Sequence, residues 1–224
     1  FFVGCMFNGR VPQTALDAME VMKRNGIRVI VPHDQVCCGS PLIRTGQTSN
    51  VADLKQKNIE AFAGRGIKTV MTICAGCGAT LKNDYETPFA VKDVTEVLTE
   101  YGIESPAKLD VRATYHDPCH LLRGQGIREE PRALLVQAVR EFVEMPAECC
   151  GAGGGVRSGV PEEAKALGAK RDEAVKATGA DVVVTVCPFC EFHIADCTET
   201  PVKNLVTVLL EGYRKKDAER QGSA

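Results

Sequence analysis

The strongest constraint on this chain is a cysteine pattern that occurs twice. Each copy contains a single cysteine, then a Cys-Cys-Gly doublet, then a Cys-x2-Cys pair, at closely matching spacings. The first copy consists of Cys5, Cys37, Cys38, Cys74 and Cys77. The second copy consists of Cys119, Cys149, Cys150, Cys187 and Cys190. One rule therefore places ten of the eleven cysteines, and self-similarity of this kind predicts a duplicated structural unit.

Apolar runs that precede the cysteine groups predict strands, and the segments between them predict helices. In the first half, the expected strands are 1–4, 27–31 and 67–73, and the expected helices are 12–26 and 51–62. Helix 12–26 is expected to bury Ala15, Leu16, Met19 and Met22. Alternating strands and helices predict a parallel sheet with right-handed crossovers. The cysteines then meet at the carboxyl edge of the strands, where open α/β sheets bind ligands.

The second half repeats this plan after a connecting region with an expected helix at 94–101. Its expected strands are 111–115, 142–145 and 181–186, and its expected helices are 131–140, 161–176 and 203–213. The sequence thus predicts an α/β fold of two pseudo-symmetric βαβαβ halves with mostly parallel sheets. We place the halves at residues 1–106 and 107–224, with the cysteines at the carboxyl ends of the strands.

Composition excludes several classes of partner. The formal net charge is −2, with charges of both signs interspersed, so neither nucleic acid nor a membrane surface is an expected partner. Apolar runs are far shorter than the roughly 20 residues that span a bilayer. The chain begins without methionine, which suggests a piece of something longer, and it has no secretory signal. Eleven cysteines in such a chain favour reduced, metal-binding thiols and a cytoplasmic location.

Three interpretations of the cysteines compete. Disulfides are disfavoured by the expected compartment and by the adjacent cysteines, which do not bridge each other easily. Zinc takes four tetrahedral ligands, so a fifth thiol in each half would be left over. An iron–sulfur cluster contains several irons, and soft thiolates suit it. A cluster is therefore the favoured interpretation in both halves, with zinc as the alternative, chiefly in the first.

The repeated pattern and two stretches around it resemble a known protein family. The stretches are residues 32–46, around the first doublet, and residues 115–121, around Cys119. The pattern resembles the cysteine-rich CCG domain of heterodisulfide reductase catalytic subunits, of the iron–sulfur subunit of thiol:fumarate reductase, and of the iron–sulfur subunits of glycolate and lactate oxidation systems. The similarity covers almost the whole chain, and the two stretches are most similar to the carboxyl-terminal domain of the thiol:fumarate reductase iron–sulfur subunit.

This resemblance implies two non-cubane [4Fe-4S] clusters, each ligated by the five cysteines of one copy. The alternative is one such cluster and one zinc ion in the first site. The implied reaction interconverts the thiols coenzyme M and coenzyme B with their heterodisulfide, a reaction of methanogenesis. The implied partners are an amino-terminal iron–sulfur domain and a flavoprotein subunit, which together reduce fumarate. The alternatives are a catalytic subunit of heterodisulfide reductase and an electron-transfer subunit of a glycolate or lactate oxidase.

Further candidates follow from position beside the cysteines. Both coenzymes carry anionic groups, so basic residues near the cysteine loops are candidates for recognising them. These are Arg10, Arg44, Arg123 and Arg157. His120 and His33 are candidate proton relays, with structural roles as the competing interpretation. Gly151 and residues 153–155 are expected to let the loop close over inorganic sulfide or substrate, and Cys197 is expected to be a buried free cysteine.

Overall fold

The computed structural model describes residues 1–222, which form an α/β fold. The helices are α1 Gly4–Gly9, α2 Pro12–Arg24, α3 Ser40–Arg44, α4 Val51–Ala63, α5 Ala75–Asn83, α6 Val94–Tyr101, α7 Cys119–Gln125, α8 Glu129–Ala138, α9 Val156–Gly159, α10 Pro161–Thr178, α11 Pro188–Ala195 and α12 Leu205–Gly222. The strands are β1 Thr69–Thr72, β2 Ala90–Asp93, β3 Leu109–Tyr115, β4 Val139–Val143, β5 Val182–Thr185 and β6 Val202–Asn204.

All strand pairs are parallel, and they form two sheets. The larger sheet has the order β4-β3-β5-β6, and the smaller one pairs β1 with β2. A parallel bridge between Phe2 and Thr72 adds the start of the chain beside β1, just as β3 lies beside β5 in the second half. The α/β class with parallel sheets is therefore confirmed, and its two halves share a strand plan.

Two strands expected in the first half are reduced. The expected strand 1–4 is only the bridge at Phe2, because the chain turns at Gly4 (φ +72) and α1 begins there. Residues 27–31 are extended beside Phe1, whose amino terminus donates to the Ile30 carbonyl at 2.5 Å, but they are not part of a ladder. Ile30 is 48% exposed, whereas a central parallel strand is buried on both faces.

The expected helices are present with shifted ends, but the buried face of α2 differs from the prediction. Leu16 is 55% exposed and Met19 is 37% exposed. The face that packs inward instead includes Ala18 and Val21 beside Ala15 and Met22. The prediction for Leu16 and Met19 was wrong because the apolar stripe was assigned one helical face too far round.

The halves are joined by helix packing. Helix α12 of the second half lies against α2 of the first, α5 lies against α7, and α6 lies against α8. Thr207 Oγ1 donates to buried Asp17 at 2.7 Å, and Asn25 donates to Tyr213 at 3.0 Å. The boundary between residues 106 and 107 remains a prediction. Within residues 1–222, no helix combines the length and apolar character needed to cross a bilayer.

Candidate metal centres

Each Cys-x2-Cys pair lies where a buried strand ends and a helix begins. Cys74 precedes α5 as its N-cap, and its Sγ accepts a hydrogen bond from the Cys77 backbone N–H at 3.4 Å. Cys187 has the same place before α11, where Pro188 is the first helical residue. The amino end of a helix carries partial positive charge, so these positions favour the thiolate form of cysteine.

The five cysteines of the first half, called here the first centre, lie together. The Sγ atoms of Cys5 and Cys37 are 3.7 Å apart, and Cys38 is hydrogen-bonded to Cys77. Cys74 is hydrogen-bonded to Cys77 as well. The structure therefore brings together the thiols that the repeat groups in the first half.

The five cysteines of the second half, called the second centre, repeat these contacts. Cys119 is hydrogen-bonded to Cys149, and the Sγ atoms of Cys150 and Cys190 are 3.3 Å apart. Cys187 is hydrogen-bonded to Cys190. Equivalent cysteines of the two halves thus have equivalent partners.

The thiols of each centre share protons unequally. Hydrogen bonds from neighbouring thiols hold the pKa of Cys37 and the pKa of Cys149 far below the ordinary thiol value. The same hydrogen bonds raise the pKa of Cys5 and of Cys119. Each centre therefore has a thiolate beside a protonated thiol, and metal binding would displace the remaining protons.

The donor set of each centre fits a multi-iron cluster better than a single zinc ion. All eleven cysteines are free thiols, which contradicts the disulfide interpretation. Tetrahedral zinc would use four of the five thiols in each centre, whereas clusters with several irons are held by cysteine thiolates. A ring nitrogen of His116 also lies within 4.8 Å of Cys150 and Cys190 Sγ, and its buried Nε2 has no hydrogen-bond partner. Burial lowers the pKa of His116 to about 4.

One cavity of about 660 Å³ borders both centres. From the first half it is lined by all five cysteines: Cys5, Cys37, Cys38, Cys74 and Cys77. From the second half it is lined by residues beside each cysteine group. These are His120 next to Cys119, residues 152–155 after the doublet, and Phe189 within the Cys-x2-Cys pair.

Three of the predicted substrate and proton-relay residues line this cavity: Arg44, Arg157 and His120. Each arginine is already paired with a carboxylate, Arg44 with Asp84 at 2.8 Å and Arg157 with Asp196 at 2.5 Å. Burial lowers the pKa of His120, and the charge of Arg44 adds to this effect. The cavity therefore has two cationic groups and one imidazole on its wall.

The other three candidates lie elsewhere. The guanidinium of Arg10 lies 4.9 Å from the centre of the Phe192 ring, and Arg123, on α7, is outside the cavity lining. His33 borders a separate cavity of about 480 Å³ that also contacts Cys5 and Cys37. The structure thus separates the predicted arginines and histidines into two groups, which sequence position alone does not do.

Residues 1–82 and 113–195 match the model of the cysteine-rich domain family designated CCG. The chain belongs to the CCG family. The two matched segments cover most of the chain and each contains one complete set of five cysteines. The resemblance stated from the sequence is therefore confirmed at the level of the family.

Several curated CCG proteins are similar to this chain over most of its length. An uncharacterized iron-sulfur protein of Methanococcus maripaludis is 47% identical over 93% of this chain and 45% of its own length. A subunit of fumarate reductase (CoM/CoB) from Methanothermobacter marburgensis is 47% identical over 89% of this chain and 42% of its own length. A subunit of dihydromethanophenazine:CoB–CoM heterodisulfide reductase from Methanosarcina acetivorans is 38% identical over 88% of this chain and 53% of its own length. The chain spans about half the length of these relatives.

Sequence reasoning missed the supports beneath the second CCG centre. His116 and Asp117 directly follow β3, and Asp117 forms a buried, two-pronged ion pair with Arg132 at 2.7 and 2.9 Å. Arg132 also donates to Glu144 at 3.0 Å. The available signal was the His-Asp-Pro run before Cys119, since charged residues directly after a buried strand need partners.

The two glycine positions of the second CCG loop differ in role. Gly151 has φ +88, and an added Cβ would lie 2.9 Å from Leu167 Cβ and 3.2 Å from the Ala164 carbonyl. Gly151 is therefore required for close packing against α10. Residues 153–155 do border the cavity, so the expectation of loop closure applies to them alone.

Proposed function

We propose that the chain is an iron–sulfur thiol/disulfide oxidoreductase domain that interconverts coenzyme M and coenzyme B with their heterodisulfide. The observation that carries this proposal is the single cavity bordered by both cysteine centres. A disulfide couple transfers two electrons, and two one-electron centres beside one substrate space are suited to that chemistry. The names of the similar reductases support the same substrates.

The proposed cofactors are two non-cubane [4Fe-4S] clusters, one in each centre. The first would be held by Cys5, Cys37, Cys38, Cys74 and Cys77. The second would be held by Cys119, Cys149, Cys150, Cys187 and Cys190. When bound, the clusters would supply one-electron redox chemistry at thiolate-ligated iron.

The thiol-oxidising direction balances as follows. The S–H bonds of the two coenzymes break and one S–S bond forms, which releases two protons and two electrons. His120 is the proposed acceptor for a thiol proton, because it borders the cavity next to Cys119. Arg44 and Arg157 are proposed to bind the anionic groups of the coenzymes.

The two electrons need an acceptor outside this domain. We propose that they pass through an iron–sulfur domain to a flavoprotein subunit that reduces fumarate, as in a thiol:fumarate reductase. Fumarate takes up two electrons and two protons to give succinate, so the overall reaction needs no further reactant. A cytoplasmic location is part of the same proposal.

The experiment has two parts. Metal analysis of the full protein should find about eight irons per chain and little zinc, since each proposed cluster contains four irons. Mixing the oxidised, iron-loaded protein with coenzyme M should then give a paramagnetic signal in electron paramagnetic resonance (EPR), as expected if the thiol reacts at one centre. Absence of that signal at full iron loading would exclude thiol chemistry and favour an electron-transfer role in a hydroxyacid oxidase.

A further inference from the structure

The two halves carry different side chains three residues before their first cysteine, Phe2 in the first and His116 in the second. The positions are structurally equivalent. The backbone N–H of Phe2 donates to the Met71 carbonyl, and that of His116 donates to the Val184 carbonyl, each at 2.8 Å. The side chain at this position is therefore the difference, while its backbone setting is shared.

The imidazole of His116 faces the second centre. One of its ring nitrogens lies within 4.8 Å of Cys150 Sγ and Cys190 Sγ, and all three side chains are buried. Its Nε2 is shielded from solvent and has no hydrogen-bond partner. Because a buried polar group without a partner is costly, this atom indicates that a group held by the second centre completes its hydrogen bonding.

The first centre has an apolar ring in the equivalent place. Phe2 is fully buried, and its ring and Cys77 Sγ both lie within 3.4 Å of the point where a Cβ on Gly4 would be. Cys77 is the counterpart of Cys190 in the repeat. The phenyl ring has no N–H to donate, so the first centre lacks this hydrogen bond.

We propose that His116 Nε2–H donates a hydrogen bond to a sulfur of the second centre and thereby sets its reduction potential above that of the first. Hydrogen bonds to cluster sulfurs favour the reduced, more negative form, which raises the potential. The inference rests on the proposed function, because it requires an iron–sulfur cluster in each half. His116 is a positioning residue in this scheme and makes no contact with substrate.

The test is a redox titration of the full, iron-loaded protein followed by EPR, with the centres assigned by Cys38→Ser and Cys150→Ser. His116→Phe reproduces the side chain of the first half. It should lower the potential of the second centre on the order of tenfold in the reduction equilibrium, about 59 mV for one electron, and leave the first unchanged. His116→Gln, which keeps an N–H donor, should shift it less. His33→Phe, on the separate cavity, should move neither.

Unchanged potentials in His116→Phe at full iron loading would overturn the proposal, and so would selective loss of second-centre iron, which would indicate direct ligation. If that variant does not fold, pulsed EPR of the unaltered protein labelled with 15N-histidine decides. We expect an exchangeable proton and a weak 15N coupling at the second centre. No 15N coupling, or one of the strength of a ligating nitrogen, would refute the hydrogen bond. An unaltered protein with far fewer than eight irons would instead contradict the proposed function.

Discussion

Cys150 and Cys197 have the same side chain in different surroundings. Cys150 lies 3.3 Å from another thiol within the second centre. Cys197 belongs to neither centre, and it is half-buried rather than fully buried as expected. Its Sγ lies 2.3 Å from where a Cβ on Gly168 would be, so its contact is with the backbone of α10.

This contrast predicts opposite results for two serine substitutions. Cys150→Ser should remove about half of the iron, because it deletes a proposed ligand of the second centre only. Cys197→Ser is the matched control and should retain the full content. Iron analysis together with EPR of each centre is the measurement, and equal loss from both centres would show that the two sets of thiols do not form independent sites.

Arg44 and Arg123 provide a second pair of matched residues. Arg44 borders the cavity and Arg123 does not. Charge-assisted hydrogen bonds are stronger than neutral ones, but Arg44 is partly exposed and already paired with Asp84, which reduces its contribution. We therefore expect Arg44→Ala to weaken coenzyme M binding on the order of fivefold to tenfold, about 1 to 1.4 kcal/mol. Arg123→Ala should leave the dissociation constant, measured by calorimetry, unchanged, and an equal loss in both variants would remove Arg44 from the substrate site.

At the scale of single elements, the start of α6 has an unusual titratable cap. Asp93 is fully buried and accepts hydrogen bonds from the Thr95 N–H and hydroxyl, while Glu96 completes a capping box. Burial raises the pKa of Asp93 to about 6. Because this lies above the ordinary aspartate value, the folded chain binds the proton more tightly than the unfolded chain does.

The free energy of unfolding should consequently fall as pH rises through 6. The contribution of Asp93 is fully present below about pH 4 and is lost above pH 6, a change on the order of 2 to 3 kcal/mol. Asp93→Asn keeps a good N-cap and should remove this pH dependence. Urea unfolding between pH 4 and 7.5 measures it, with the exposed Asp110→Asn as a control that keeps the dependence. A wild-type protein whose stability does not fall over that interval would contradict the assignment.

The elements also show how far sequence patterns determine the fold. Long helices such as α4 and α10 and the buried strands β1, β3 and β5 follow from apolar periodicity. The short strands β2 and β6 did not, because three or four residues with few apolar side chains give no periodic signal. Residues 27–31 have the composition of a strand, yet pairing depends on neighbours that the local sequence does not specify.

The candidate site divides along the same line. Convergence of the cysteines follows from their position after parallel strands, because those ends share one edge. Selection of Arg44 and Arg157 over Arg10 and Arg123 depends on side-chain direction and on packing between the halves. The position of His116 beside Cys150 likewise depends on how two separate strands lie in the sheet.

At the scale of the whole molecule, the second half covers a buried face of the first. Helix α12 lies against α2, where Thr207 donates to Asp17 and Arg24 pairs with Asp217 at 2.5 Å. The Ala75 N–H also reaches the Val186 carbonyl at 3.4 Å, between the two Cys-x2-Cys loops. The two halves therefore share a continuous interior although each has its own set of cysteines.

We expect residues 1–106 expressed alone to bind little iron and to unfold without a cooperative transition. Removal of α12 would expose the apolar face of α2, including Val21 and Met22, and leave buried Asp17 without its partner Thr207. Exposure of several such side chains costs about 1.5 to 3 kcal/mol each, which is a large part of the stability of a domain this small. Coexpression with residues 107–224 should restore both properties, as measured by circular dichroism and iron analysis. A fragment 1–106 that alone bound about four irons and melted cooperatively would instead show that the predicted boundary separates two autonomous domains.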